Sequence, residues 1–219
     1  EGPFRHSSSV MPAYKLVYFD VRGLGEVSRL LFHASKTPFE DYEVALNGDE
    51  WTTLKQKTPF GKMPVLYVDG KPLAQSFAIA RYLAREFGFA GNSPFECALV
   101  DALGDQFKDY WVEMFPFFAV GAGLKEGDQK ALQKEVGEPA RDTFFTMLER
   151  VAKENGSNGH LVGDSLTWID LAIADHIITL QNFSAGFVDA FPTVLAVREK
   201  AMNDPRLKEY LDSRPVRHF

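Results

Sequence analysis

Apolar positions along the chain change period several times, and each change marks an element. Leu16 to Phe19 form a continuous apolar and aromatic run suited to a buried strand, and Val27, Leu30, Leu31 and Ala34 then recur at i, i+3, i+4 and i+7, one helical face. Gly23 and Gly25 separate the two, so a strand ending near Tyr18 hands over to a helix at glycines. In open α/β folds such a junction lies at the carboxyl end of a strand, where ligands tend to bind and backbone amides face outward.

Tyr42 to Leu46 reads as a second strand, and Gly48 begins a polar connection carrying Trp51 and Lys55, which completes a β-α-β unit. Pro59 and Gly61 mark turns before a run from Val65 to Val68, and Asp69-Gly70 between that run and Leu73 is a strong hairpin signal. Ser76 then precedes a helix whose Ile79, Ala80, Leu83 and Phe87 share a face, with a stop at Gly88. The order β-α-β-β-β-α joins one strand pair by a crossover helix and another by a tight turn, so the sheet is expected to be mixed.

Beyond Phe89 the pattern changes. GFAGNSP reads as a linker, no convincing strand follows, and a helical second domain begins near Pro94. Val100, Leu103 and Phe107 stripe a helix expected to be interrupted after Phe115 by Pro116 and by a loop from Gly121 to Gly123. Leu132, Val136, Phe144, Leu148 and Val151 stripe another, with a kink expected at Pro139. SLTWIDLAIAD carries a capping box between Thr167 and Asp170 and a staple of Leu166 onto Leu171, a signature of stability rather than chemistry. A helix follows Pro192, and Leu207 to Leu211 form a short terminal turn or helix. The expected division is a tail over 1–11, a sheet domain over 12–90 and an all-helical domain over 91–219.

With 219 residues the chain is long enough for two small domains. No stretch approaches the roughly 20 apolar residues that span a bilayer, and no signal-peptide pattern opens the chain, so a cytoplasmic protein is expected. Residues 1–10 resemble an expression remnant ahead of Met11. A formal charge of −6 gives no general attraction for nucleic acid or an acidic membrane, which leaves small molecules and proteins as partners. Cys97 is the single cysteine, which excludes an intrachain disulfide and a cysteine metal cluster, and the five histidines form no metal-spacing pair.

Three motifs occur in order: YF-x-x-RG from Tyr18 to Gly23, PFGKMPVL from Pro59 to Leu66, and QSFAIARYL from Gln75 to Leu83. Together with the cap at Thr167 they resemble the cytosolic glutathione transferases, and the Tyr-Phe opening is most similar to the sigma class, which includes glutathione-dependent prostaglandin D synthases. The resemblance covers nearly all of 11–219. It implies a thioredoxin-like N-terminal domain, a helical-bundle C-terminal domain, a homodimer, glutathione as co-substrate with no tightly bound cofactor or metal, and a small hydrophobic electrophile as second substrate.

The chemistry is consistent with that resemblance. A free thiol titrates near pH ~8.5 and only its thiolate is a good nucleophile. A hydrogen bond to a charged group contributes roughly 1.5–3 kcal/mol and one pKa unit corresponds to about 1.4 kcal/mol, so a Tyr18 hydroxyl donor could lower a thiol pKa by about one to two units. The resemblance further implies that Met63, before a cis Pro64, pairs its backbone with the cysteinyl part of glutathione as an added strand. It assigns the γ-glutamyl carboxylate to Gln75, Ser76 and the helix start behind them, where unsatisfied amides favour anions. Trp51, Lys55 and Lys62 match positions at the glycine end, and Asp105, preferred to Asp101, would reach the γ-glutamyl ammonium across the dimer.

One position departs from the resemblance. Leu24 stands where the similar prostaglandin D synthases carry an arginine beside the thiol. Conjugation of apolar electrophiles, with peroxide reduction alongside it, is therefore expected ahead of prostaglandin isomerisation, while a non-catalytic carrier of haem or other hydrophobic ligands and a structural protein resembling S-crystallins are the alternatives. The second-substrate pocket is expected among Phe19, Leu24, Tyr110 and Trp111, with Phe115 a further wall candidate. A thiol-disulfide role is disfavoured because Cys97 falls in the second domain.

Overall fold

A computed structural model describes residues 11–46 and 48–219; the expected tail before Met11 lies outside them. The apolar run forms β1 (Tyr14–Phe19), and a short 3-10 turn at Gly23–Gly25 leads into α1 (Glu26–Ser35). β2 (Glu40–Val44) follows, then α2 (Glu50–Leu54), β3 (Val65–Val68), β4 (Lys71–Ala74) and α3 (Ser76–Phe87). The sheet order is β2-β1-β3-β4, with β1 parallel to β2 and the other two pairings antiparallel. This is the mixed sheet that one crossover helix and one Asp-Gly hairpin require.

β2 begins and ends two residues earlier than the apolar pattern suggested. Its sequence EDYEV is mostly polar and its charges are matched by partners: Glu40 with Lys15 at 2.9 Å, and Glu43 with Arg217 at 2.6 Å. Ion pairing at an edge replaces the hydrophobic signal. The connection carrying Trp51 and Lys55 is also helical, as α2 and a following 3-10 turn over Lys55–Lys57.

The second half is helical throughout: α4 (Pro94–Gly121), α5 (Gln129–Leu132), α6 (Glu138–Glu154), α7 (Trp168–Phe183), α8 (Pro192–Met202) and α9 (Lys208–Ser213). The expected break after Phe115 does not occur, and α4 runs through Pro116. Both Pro116 and Val112, whose carbonyl loses its partner, lie on the exposed face where water can substitute, while Met114, Phe117 and Phe118 are buried and hold the register. Pro139 sits in the first turn of α6, behind a widened π turn at Gln133–Gly137 that joins α5 to α6. A π turn takes the place of the expected kink.

Asp170 in α7 accepts from the amides of Thr167 and Leu161 and from the Thr167 hydroxyl, each at 2.9 Å. That fixes the start of α7, whose Trp168 is fully buried and whose amide donates to the Phe89 carbonyl at 2.9 Å. Gly104 of α4 permits this packing, since a Cβ there would lie 2.3 Å from the Trp168 ring. α7 thus becomes the shared wall between the sheet side and the helical side, and its later residues Asp175, His176 and Thr179 line the cleft described next.

Candidate active site

β1 delivers Tyr18 beneath the turn whose Gly23 and Leu24 line the cleft, with its ring buried, and the glycines after it exist for that ring. A Cβ on Gly25 would come within 2.2 Å of the Tyr18 ring and one on Gly23 within 2.7 Å of its hydroxyl; Gly23 also has a φ of +37°, which suits glycine. The returning backbone places the Leu24 amide 3.0 Å from the Tyr18 hydroxyl, and that amide donates to it. The hydroxyl oxygen is therefore an acceptor towards the protein and keeps its own proton for another partner. Burial pushes the Tyr18 pKa up to about 12, against the opposing effects of the Leu24 amide and the Arg29 guanidinium. Tyr18 is a neutral donor at physiological pH.

The turn is clamped from behind. The Arg22 guanidinium donates to the Asp175 carboxylate at 2.5 Å and to the Thr179 hydroxyl at 2.8 Å, and the Arg22 amide donates to the Phe219 carbonyl at 2.8 Å. Glu26, fully buried, accepts from the Tyr210 hydroxyl at 2.8 Å and from Arg214 at 2.7 Å. These charges tie the strand-to-helix turn to α7 and to the chain's last residues. Arg22 lies within the YF-x-x-RG motif, but nothing in the sequence connected it with an acid 153 residues away.

The other expected residues fall at several places. Met63 and Pro64 are joined by a cis peptide bond just before β3. Among the described residues the Met63 amide and carbonyl have no hydrogen-bond partner. Gln75, exposed, has φ +77° and occupies the N-cap of α3, while Ser76 is buried in the first turn; no side chain caps the helix. Trp51 packs edge-on against Phe19 with ring centroids 5.4 Å apart. Lys55 and Lys62 are exposed and without ion pairs among the described residues. Asp105 is exposed on α4 and pairs with Arg81 of the same chain at 2.5 Å, and Arg81 also holds Asp101 at 3.0 Å.

A cleft opens between the Tyr18 turn and the helical side. Gly23, Leu24 and Ser76 line one end, Phe107, Trp111 and Phe118 of α4 one wall, and Asp175, His176 and Thr179 of α7 the floor. Of the four residues expected around it, Leu24 and Trp111 are in its lining; Phe19 turns to Trp51, and Tyr110 lies one layer behind, bonded to His176. Phe115 is over a third exposed at 38 % and Phe118 takes the wall position instead. The cleft is narrow, about 30 Å3, and is partly open to solvent. Among the described residues no three His, Cys, Asp or Glu side chains are placed to hold a metal, and no helix is long and apolar enough to cross a membrane.

A mixed four-stranded sheet with a cis-proline before β3, a buried hydroxyl donor at the end of β1 and an uncapped helix opposite defines a thioredoxin-like domain, here joined to a helical domain. Comparison with known families agrees: residues 14–85 match the glutathione S-transferase N-terminal domain and residues 115–214 its C-terminal domain. The chain belongs to the glutathione S-transferase family. It is 45% identical to glutathione S-transferase 1 of Ascaris suum over 94% of this chain and 98% of that one. Among solved structures it resembles a Nu-class enzyme of Haemonchus contortus (46% identity, TM-score 0.85, covering 95% of this chain and all of that one). It also resembles monomeric Na-GST-3 of the hookworm Necator americanus (45%, TM-score 0.89, 94% and 100%).

Proposed function

We propose that this protein joins the glutathione sulfur to small hydrophobic electrophiles and reduces peroxides by the same thiolate. The observation that carries the reading is the Leu24 amide on the Tyr18 hydroxyl at 3.0 Å. An oxygen already accepting from the backbone, on a phenol that stays protonated, has one useful thing left to offer, its proton. Donated to a neighbouring sulfur, it favours the thiolate over the thiol.

In this reading Met63 pairs with the cysteinyl backbone of glutathione as a further strand would. Ser76, Gln75 and the uncapped amides of α3 receive the γ-glutamyl carboxylate, and Lys55, Lys62 and Trp51 meet the glycine end. Asp105 supports the γ-glutamyl ammonium of the partner subunit in a homodimer, a role favoured by its exposure and by the exposed Phe95, Leu99 and Val112 on the same helix. The chain divides into a glutathione-binding domain over 12–90 and a helical domain over 91–219, acts in the cytoplasm, and belongs with sigma-like enzymes by its Tyr18-Phe19 opening. Leu24, an apolar residue beside the sulfur position, favours conjugation over prostaglandin isomerisation.

Retention on immobilised glutathione with elution by the free tripeptide, followed by turnover of 1-chloro-2,4-dinitrobenzene, tests the proposal. Retention together with glutathione-dependent turnover supports it. Passage through the column without retention contradicts it.

A further inference from the structure

His176 is the polar group of the cleft that the glutathione reading leaves without a task. It lies on α7, 4% exposed, among the rings of Phe107, Tyr110 and Trp111. The remaining polar lining is already committed. Asp175 is held by Arg22 and Arg214, Thr179 accepts from Arg22, and Ser76 sits at the glutathione end.

Its protonation can be deduced. Burial, with Arg22 nearby, pushes the His176 pKa down to about 3, so the ring is neutral and carries one proton. Nε2 is 3.0 Å from the Tyr110 hydroxyl, which burial keeps protonated. Tyr110 has no other hydrogen-bond partner among the described residues. If Nε2 were the donor, the phenolic proton would be buried among aromatic rings with nothing to receive it, which costs about 1–3 kcal/mol. Tyr110 therefore donates to Nε2, and the imidazole proton resides on Nδ1. Among the described residues Nδ1 has no partner, and unlike His160 Nδ1 it is not among the unpartnered side-chain atoms shut off from solvent. A neutral donor thus faces a narrow cleft whose other polar side chains are paired within the protein or lie at the glutathione end.

We infer that His176 selects the electrophile: its Nδ1–H receives the carbonyl oxygen of a slim, unbranched α,β-unsaturated aldehyde or ketone whose carbon chain lies along Leu24, Trp111 and Phe118. The inference rests on the transferase reading above. The sulfur forms its bond to the β-carbon, the carbon–carbon π pair moves to make the enolate, and the α-carbon takes a proton from solvent, so the sum is addition of S–H across the double bond with no change of oxidant or reductant. His176 contributes as the negative charge grows on oxygen. A hydrogen bond to a charged oxygen is stronger than one to a neutral carbonyl, so it favours the transition state over the bound aldehyde.

The test compares trans-2-nonenal with benzyl chloride, which has no oxygen acceptor, at saturating glutathione. His176→Leu removes the donor and His176→Asn restores an N–H close to the Nδ1 position; both lose the Nε2 contact with Tyr110, so their difference isolates the donor. We expect the ratio of kcat/KM for the enal to that for benzyl chloride to fall about tenfold or more in His176→Leu and to return to within about threefold of the unaltered protein's ratio in His176→Asn. Equal losses for both electrophiles in His176→Leu, or an Asn variant as poor as Leu, overturn the inference. So does an unaltered protein that turns over benzyl chloride but not the enal. Turnover of neither overturns the transferase reading itself.

Discussion

The Leu24 amide lies 3.0 Å from the Tyr18 hydroxyl, and this one contact makes a core aromatic residue into a directed donor. It exists because the chain turns back over the ring immediately after β1, which only glycines at 23 and 25 allow.

Gly25→Ala should therefore damage function through Tyr18. Its new Cβ would stand 2.2 Å from the ring, and the ring must shift away from the Leu24 amide. We expect a stability loss of about 1–3 kcal/mol by urea denaturation and a fall in kcat/KM of about tenfold or more. Unchanged turnover would show that the ring's placement does not matter.

Asp105→Ala separates a surface ion pair from a role in a second subunit's site. Its pair with Arg81 is largely exposed, so stability should change by less than about 1 kcal/mol. Glutathione affinity, by isothermal titration, should weaken about tenfold, with the dimer retained in light scattering. Normal affinity, or a monomeric unaltered protein, removes the cross-subunit role.

Arg22→Leu leaves Asp175 buried without its main partner, and releases the carbonyls of Arg217 and His218. A loss of about 3–5 kcal/mol is expected in urea denaturation, with most of it recovered when Asp175→Leu is added. A single-variant loss under about 1 kcal/mol would mean that the clamp is not what joins the turn to α7.

Glu149 predicts a pH dependence of stability. Burial opposes its ionisation, but the Thr193 hydroxyl, the Val194 and Thr193 amides and Lys153 outweigh that cost and hold its carboxyl below the usual range. A carboxyl depressed in the folded state stabilises the fold above its unfolded pKa of 4.5, and that contribution is lost as pH falls through the folded value. Glu149→Gln should cost about 1–2 kcal/mol at pH 7 and little below pH ~3. An equal cost at both pH values would assign the effect to packing.

The fold was legible where apolar period and turn chemistry agreed. Leu16 to Phe19, the stripe from Val27 to Ala34 and the Asp69-Gly70 turn imply the mixed sheet without any tertiary information. It was less legible where charge or exposure decided the outcome. β2 is held by ion pairs rather than apolar alternation, and Pro116 is tolerated because the carbonyl it orphans faces water. In the site, Tyr18, Met63 and Ser76 are conspicuous because local motifs surround them. Arg22, Asp175 and His176 are not, since their partners are distant in sequence, and the Asp175-His176 pair falls inside a helix whose start reads as a stability motif.

The most direct test of thiolate stabilisation by Tyr18 is a titration of the bound glutathione sulfur, followed by thiolate ultraviolet absorbance in the unaltered protein and in Tyr18→Phe. The account predicts a pKa of about 6.5–7.5 in the unaltered protein and a return towards ~8.5 in Tyr18→Phe, with binding retained. The same low pKa in both would contradict it.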